Sequence, residues 1–410
     1  MKTFIVAVPL FDKDMVVQAY KLETHNSDQL LGMAQSHMQL GESLLSRGLD
    51  LVEKIGVEPL TAGKPLFVDV NQYQLMMDIP ACMSLPFHKL VCVLPKDTPD
   101  NEAVVDKCRE LKKLGVRLAV GATPDNHIYN SLLHMASYML FDLQSVHYEK
   151  QLKQLPVRVQ PVVLSVDTLS EYEAVKAGVK NVLCGGQFYG IPISSDAEDV
   201  SPLKANALQL LRQVNEIDSD LIGIANTIER DPAISVALLR FINSPMIGTR
   251  QRIDSIRAAV AILGQKEIKR WVTVVVSMQL SSDKPGEITK LSLQRAKFAE
   301  NLAALYAMRS QSSGLFMTGL FSLLDVMLDK SMKEAIAEIS VDDKVYDALV
   351  NKDGEFYEVM EMVYAYERGD WDMVTINMIQ HGVEPESISQ VFIEALTWYK
   401  TLLDDLNEKI

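Results

Sequence analysis

The sequence predicts an α/β barrel followed by an all-α region, and three observations carry the prediction. Over the first 190 or so residues, short β-rich runs alternate with stretches of helical spacing. Beyond them, period-2 alternation gives way to one amphipathic helical segment after another. The chain has 410 residues, 48% of them hydrophobic, which is enough for two or three domains of ordinary size.

FIVAVPL and MVVQAYKL supply the first two strands, with Asp12-Lys13-Asp14 as the turn between them. PLFVDV, KLVCVL, VRLAV, YMLFDL, PVVLSV and NVLC supply six more, and helical spacing fills 28–46, 99–114, 125–137 and 168–178. Strands that alternate with helices imply a mainly parallel sheet. About eight of them suit a closed β/α barrel better than an open sheet, with the first hairpin as an antiparallel irregularity. Thr98-Pro99-Asp100 and Thr123-Pro124-Asp125 each set a capping hydroxyl before a proline, which predicts helix starts there. ISSDAEDVSP, residues 193–202, is polar, acidic and ended by proline, the composition of a linker. The expected division is a barrel over 1–193, a linker over 194–203 and a helical domain over 204–410. Within the last, helical spacing marks 204–215, 219–230, 233–243, 255–263, 265–280, 287–310, 313–329, 342–350, 354–367 and 384–407.

A net charge of −14 with no basic run of five or more argues against direct nucleic-acid binding, which draws its affinity from clustered Lys and Arg. FIVAVPLF is short and cut off by Asp12, so it reads as a strand rather than a signal peptide. No segment, WVTVVVSMQL at 271–280 included, approaches the roughly 20 apolar residues that span a bilayer. Cys82, Cys92, Cys108 and Cys184 form no C-x-x-C pair and read as reduced packing residues of a cytoplasmic protein.

Candidate chemistry is sparse. Asp12 and Asp14 are what a hairpin turn selects, rather than a metal pair. His127 and His134 share a helix face at a spacing of seven, whereas a helical zinc pair sits at i, i+4, so they read as ordinary histidines. CGGQFYG, residues 184–190, lacks the spacing of a phosphate loop and suits a tight loop at the barrel rim. Asp142 is the one carboxylate well placed at a strand exit, where a lone Asp is more often a loop cap than a catalyst. Arg250 and Arg252 lie in a connecting loop that reads as solvated. Trp371, in AYERGDWDMV at 365–374, reads as packing at a helix break, with an exposed partner-binding aromatic as the alternative.

VPLFDKDMVVQAYKLETHN resembles the opening of EAL domains, the barrel phosphodiesterases that cut cyclic diguanylate, and VNQYQL, LPKDTPDNEAVVDKCRELKKLGVRLAV and VKAGVKNVLCGGQFYGIPI follow in EAL order. DLIGIANTIERDPAISVALLRFINSPMIGTRQRIDSIRAAVAILG, SSDKPGEI, GLFSLLDVML and AYERGDW resemble an HDOD domain, a helical relative of HD phosphohydrolases. Together they resemble the bacterial EAL-HDOD signalling proteins over nearly the whole chain.

EAL catalysis uses two divalent cations held at the strand ends. By this resemblance the Glu of the naming motif falls near Lys21, the Asn ligand on Asp69 and the next Glu close to Val93. The Asp-Asp pair falls on Gly121-Ala122, the lysine expected before Asp142 on Leu140, and the later Glu near Leu164. Asp142, with Asp69, is what remains of the ligand set. The HD metal pair falls within Phe321-Ser322-Leu323-Leu324, which holds no ligand. The resemblance therefore implies a catalytically inactive regulator without cofactor or metal, acting on protein partners in a cyclic-diguanylate-related pathway that controls motility, biofilm formation or gene expression. The alternative is a receptor that takes up cyclic diguanylate, or another nucleotide, without cutting it, Lys21 meeting a phosphate where a metal once sat; a residual phosphodiesterase is the remote one. Dimerisation through the barrel is a further expectation, and no membrane partner is expected.

Overall fold

The computed structural model of the chain describes residues 3–26, 47–77, 84–122, 130–145, 152, 155–192, 202–216, 221–244, 247 and 251–407. The predicted start at Thr123-Pro124-Asp125, the whole 28–46 helix, His127, Cys82, Arg250 and all but Pro202 of ISSDAEDVSP lie outside them. The described residues form two compact units, Met1–Ile191 with Ala365–Ile393, and Pro192–Tyr364 with Glu394–Ile410.

The first unit is a closed eight-stranded barrel of β1 (Thr3–Phe11), β2 (Val17–Asn26), β3 (Leu66–Asp69), β4 (Leu90–Leu94), β5 (Arg117–Gly121), β6 (Tyr138–Asp142), β7 (Gln160–Leu164) and β8 (Leu183–Gly185), in that order around the sheet. β1 runs antiparallel to β2 and β8, and the remaining neighbours are parallel. All eight predicted strands and the antiparallel first hairpin are present. The hairpin turns where Asp12 accepts hydrogen bonds from the backbone N–H of Asp14 (2.9 Å) and Val16 (3.0 Å) and from Gln18 Nε2 (2.6 Å), and Met15 takes a left-handed φ of 59°. The Asp12 carboxyl lies below its usual range: burial pushes it up, and the three hydrogen bonds with the charge of Lys13 outweigh that.

Alternate residues fill the interior: Leu10, Ala19, Phe67, Val91, Val93, Ala119, Tyr138, Leu140, Val162 and Leu183 form one buried cluster. Successive strand side chains point to opposite faces, so the residue two further along each strand faces the same interior, nearer the exit. Short helices α1 (Arg47–Ile55), α2 (Glu58–Thr61), α3 (Gln72–Met76), α4 (Glu102–Lys113), α5 (Asn130–Met135) and α6 (Leu169–Gly178) link the strands. α4 starts three residues later than Thr98 predicts. Asn101 is its N-cap, accepting from Val104 N–H at 3.0 Å, while the Thr98 hydroxyl donates to Pro95 C=O at 2.6 Å and closes the preceding turn.

The second unit is all-helical, as expected. Its residues come from α7 (Pro202–Asn215), α8 (Leu221–Glu229), α9 (Pro232–Ile242), α10 (Ile256–Leu280), α11 (Gly286–Leu305), α12 (Ser312–Phe321), α13 (Leu324–Leu328), α14 (Met332–Ala337), α15 (Asp343–Tyr346), most of α16 (Glu355–Arg368) and most of a last helix (Pro385–Asn407). α10 is broken at Gly264 (φ 74°, ψ 171°), a conformation essentially restricted to glycine, which is why the periodicity stops at 263 and resumes at 265. Asn243 ties the loop before α10 by donating to Leu239 and Ile253 C=O and accepting from Ile253 N–H, each at 2.7 Å.

Residues Ala365–Ile393, placed by the sequence in the helical domain, group with the barrel in the structure. They include α17 (Trp371–His381), which begins after the predicted break, and the start of α18 (Pro385–Asn407). Long-range side-chain to backbone bonds hold them there. Tyr366 Oη accepts from Ile5 N–H at 3.2 Å and Ser389 Oγ donates to Thr3 C=O at 3.0 Å, which satisfies two groups on the side of β1 turned away from β2.

Candidate functional site at the barrel mouth

The carboxyl ends of the parallel strands open on a cavity of about 700 Å³. β1 runs the other way, so its first residues, paired as Thr3 with Asn26 and Phe4 with His25, stand at this same end. The cavity is lined by Lys21, Asp69, Val93, Gly121, Ala122, Leu140, Asp142 and Leu164 together. The structure thus gathers all eight mouth positions that the resemblance to EAL domains marks, seven of them by strand parity and Ala122 by following the end of β5. Ala19 and Lys21, Val91 and Val93, Tyr138, Leu140 and Asp142 are each two apart and share the inward face.

Each of the eight has a definite local role, that of Ala122 being to donate its N–H to Leu140 C=O at 2.7 Å and so tie the β5 exit to β6. Lys21 Nζ donates to Asp69 Oδ2 at 3.0 Å; its side chain is 11% exposed and that of Asp69 58%. Gly121 leaves the space over β5 to Lys96, whose stem would lie 3.3 Å from a Cβ added there. Val93 and Leu140 are buried apolar walls and Leu164 packs against them. Asp142 accepts from Gln144 N–H at 3.0 Å and caps the turn leaving β6, the plainer reading of that carboxylate. The rim loop at Gly185-Gly186 passes close under the β7 exit, where a Cβ on Gly186 would lie 1.8 Å from Val166 O. Ser165, at that exit, takes a left-handed φ of 61°.

Four charged lining residues escaped the sequence reading: Glu23, Lys96, Glu367 and Arg368. Glu23, two beyond Lys21 on the inward face of β2, carried a usable signal in its spacing, whereas Lys96, past the end of β4 and out of step with Val91 and Val93, carried none. Glu367 and Arg368 carried none, since they reach the mouth only through the returning segment.

Trp371 is half-buried in that segment. It stacks on Phe4 (centroids 5.3 Å apart, 10° between planes) and on His25 (5.2 Å, 15°), and meets Tyr366 edge-on at 5.6 Å. Packing therefore accounts for the indole faces. The His25 ring lies below its ordinary pKa because burial disfavours the charged form, with the nearby Asp372 carboxylate pulling the other way.

A divalent cation needs several oxygen ligands converging on one point. This mouth offers an ammonium beside its one β3 carboxylate, a lysine stem across Gly121, and the hydrocarbon of Val93, Leu140 and Leu164, while its other carboxylates, Glu23, Asp142, Asp167 and Glu367, come from separate elements and form no cluster of three. These residues do not fit a pair of metal ions. Among the described residues no group of three or more His, Cys, Asp or Glu side chains is placed to hold a metal.

In the helical unit, Phe321, Ser322, Leu323 and Leu324 are all buried, and Ser322 Oγ donates to Gly319 C=O at 2.7 Å while accepting from Arg295 at 3.2 Å. Asp325, the next residue, is pushed above the usual carboxylate range by burial, against a hydrogen bond from Val326 N–H and the charge of Arg295. His134 meets Arg158, and Arg252 is exposed. Cys92, Cys108 and Cys184 are buried free thiols, pushed up to about 12, about 11 and about 12 by desolvation. No described helix is long and apolar enough to cross a membrane.

Residues 200–348 match the HDOD domain, so a closed eight-stranded barrel is followed by a helical region that contains an HDOD domain. The barrel resembles EAL-domain structures. One, the Bacillus subtilis YkuI protein with an EAL domain in complex with cyclic di-GMP and calcium, is 11% identical, with 63% of this chain and 72% of that chain covered and a TM-score of 0.35. By sequence the chain is similar to YuxH of Bacillus subtilis, an uncharacterized protein, at 28% identity over 98% of this chain and 100% of that one. It is also similar to the cyclic di-GMP phosphodiesterase CdgJ of Vibrio cholerae, at 26% identity over 84% of this chain and 80% of the relative.

Proposed function

We propose that the chain is a non-catalytic, cytoplasmic regulator in a cyclic-diguanylate-related signalling pathway, in which barrel and helical unit act as contact surfaces for protein partners. The observation that carries the reading is the Lys21–Asp69 pair with Lys96 lying over Gly121. Two unit charges about 4 Å apart interact by roughly 4 kcal/mol at an effective dielectric of 20, so an ammonium there repels a divalent ion by roughly 8 kcal/mol. That offsets what the Asp69 carboxylate contributes at a similar distance. Asp142 is engaged as a turn cap, and although Glu23, Asp167 and Glu367 also line the cavity, no three such side chains among the described residues are grouped to form a shell. The purified chain is expected to leave cyclic diguanylate intact in the presence of Mg²⁺ or Mn²⁺. Turnover that Asp142→Asn abolishes overturns the reading.

A second reading has its own support. Lys21, Lys96 and Arg368 line one mouth, and a relative bears the name of a cyclic di-GMP phosphodiesterase, so the cavity is a candidate receptor for that dinucleotide. Against it, Glu23, Asp69, Asp142, Asp167 and Glu367 line the same cavity and outnumber the three cations, a balance that repels phosphate. Calorimetric titration with cyclic diguanylate separates the two: binding weakened by Lys21→Ala and by Arg368→Ala favours the receptor.

A further inference from the structure

α17 distributes its side chains in a way that packing on one side does not explain. Its inward side buries Val374, Met378 and the polar Asn377, while Met373, Ile376 and Ile379 stand 40%, 47% and 68% exposed. A helix that only covered the barrel would place polar residues outward. At about 100° per residue the three fall within a stripe roughly 120° wide, the spacing of a helix-in-groove or helix-on-helix contact. Trp371, at the first turn, is clamped between Phe4 and His25, so the stripe is carried by a helix already fixed in place.

We propose that this stripe is a docking face for a protein partner, and that the partner supplies a basic amphipathic helix. The inference rests on the reading of the chain as a protein-contact regulator and names the surface and the chemistry of what meets it. Charge selects the occupant. From Gly369 to Ile393 the chain contains Asp370, Asp372, Glu384 and Glu386 and no Lys or Arg. A second copy meeting this face across a two-fold axis would set the same acids against one another. An anionic lipid surface is repelled for the same reason. A helix with Lys or Arg flanking its apolar residues finds both complements.

Fluorescence anisotropy with the full chain tests this, using a labelled peptide of about 18 residues, five helical turns, with Leu at i, i+3, i+4 and i+7 spacing and Lys elsewhere. A second peptide carries Glu in place of Lys. The Lys peptide is expected to bind, to bind at least tenfold more weakly to the Met373→Gln/Ile376→Gln/Ile379→Gln chain, and to lose affinity with added salt, while the Glu peptide does not bind. Exposed positions and a good helix former keep the triple variant folded, which its circular dichroism checks. Equal binding by wild type and variant, equal binding by the two peptides, or no binding overturns the proposal. So does self-association of the wild type, or its binding to anionic vesicles, if the triple variant abolishes either. None of these outcomes depends on whether cyclic diguanylate is cut, so the two readings fail separately.

Discussion

Asp69→Ala and Lys21→Met remove opposite halves of one ion pair, and the structure predicts unequal costs. The Lys21 side chain is 11% exposed, whereas that of Asp69 is 58% exposed. In Asp69→Ala the ammonium keeps its place with its carboxylate gone. Breaking a fully buried pair costs roughly 3–5 kcal/mol, but this pair borders a cavity of about 700 Å³ that admits water, so about 1–2 kcal/mol is expected. In Lys21→Met the hydrocarbon stem stays against the barrel interior and Asp69 turns to solvent, at a cost of about 0.5 kcal/mol or less. The double variant is expected to recover about 1 kcal/mol of the Asp69→Ala loss. Hydrogen exchange of the β2 and β3 amides reads these free energies locally, without requiring the whole chain to unfold in one step. If Lys21→Met costs as much as Asp69→Ala, or the two losses simply add, the ammonium is not what Asp69 serves at this mouth.

Three further outcomes follow from the same geometry. Gly186→Ala drives a Cβ into the backbone oxygen of Val166, which cannot swing aside as a side chain could, and is expected to cost about 3 kcal/mol or more, seen as a lowered thermal midpoint or loss of soluble protein. Tyr366→Phe leaves the buried Ile5 N–H without its acceptor and is expected to loosen the returning segment by about 1–3 kcal/mol, measured as faster hydrogen exchange across α17; unchanged exchange there refutes the role given to Tyr366. His25 is held below its ordinary 6.5, so the unfolded chain binds more protons between that value and the depressed one. The stability it contributes is complete above pH 6.5 and is lost as pH falls through the window, so the α17 protection factors, which divide out the slower intrinsic exchange at lower pH, should fall on acidification in wild type and less in His25→Leu.

How much of this was legible in the chain differs by element. The eight strands were, because runs such as KLVCVL and PVVLSV have no rival reading at that length. The mouth positions came from the resemblance to EAL domains, and period 2 explains why Lys21, Val93, Gly121 and Leu164, on four different strands, all face inward. Local helix starts were less secure: Thr98 and Asn101 both offer a capping side chain, and the choice between them depends on Pro95 accepting the Thr98 hydroxyl. α14 announced itself by a Ser331-x-x-Glu334 capping box that periodicity alone passed over. The Asp370 cap of α17 stood inside a stretch read only as a break. The return of Ala365–Ile393 to β1 was not legible, because the bonds that fix it join residues 361 and 386 positions apart.

The central claim is that the barrel mouth, with Lys21 and Lys96 in it, does not hold divalent cations. Electron paramagnetic resonance of free Mn²⁺, titrated with the full chain with and without cyclic diguanylate, measures that directly. The free-ion signal is expected to stay undiminished at stoichiometric protein. A signal that falls by about two ions per chain, and recovers in Asp69→Asn or Asp142→Asn, contradicts the account.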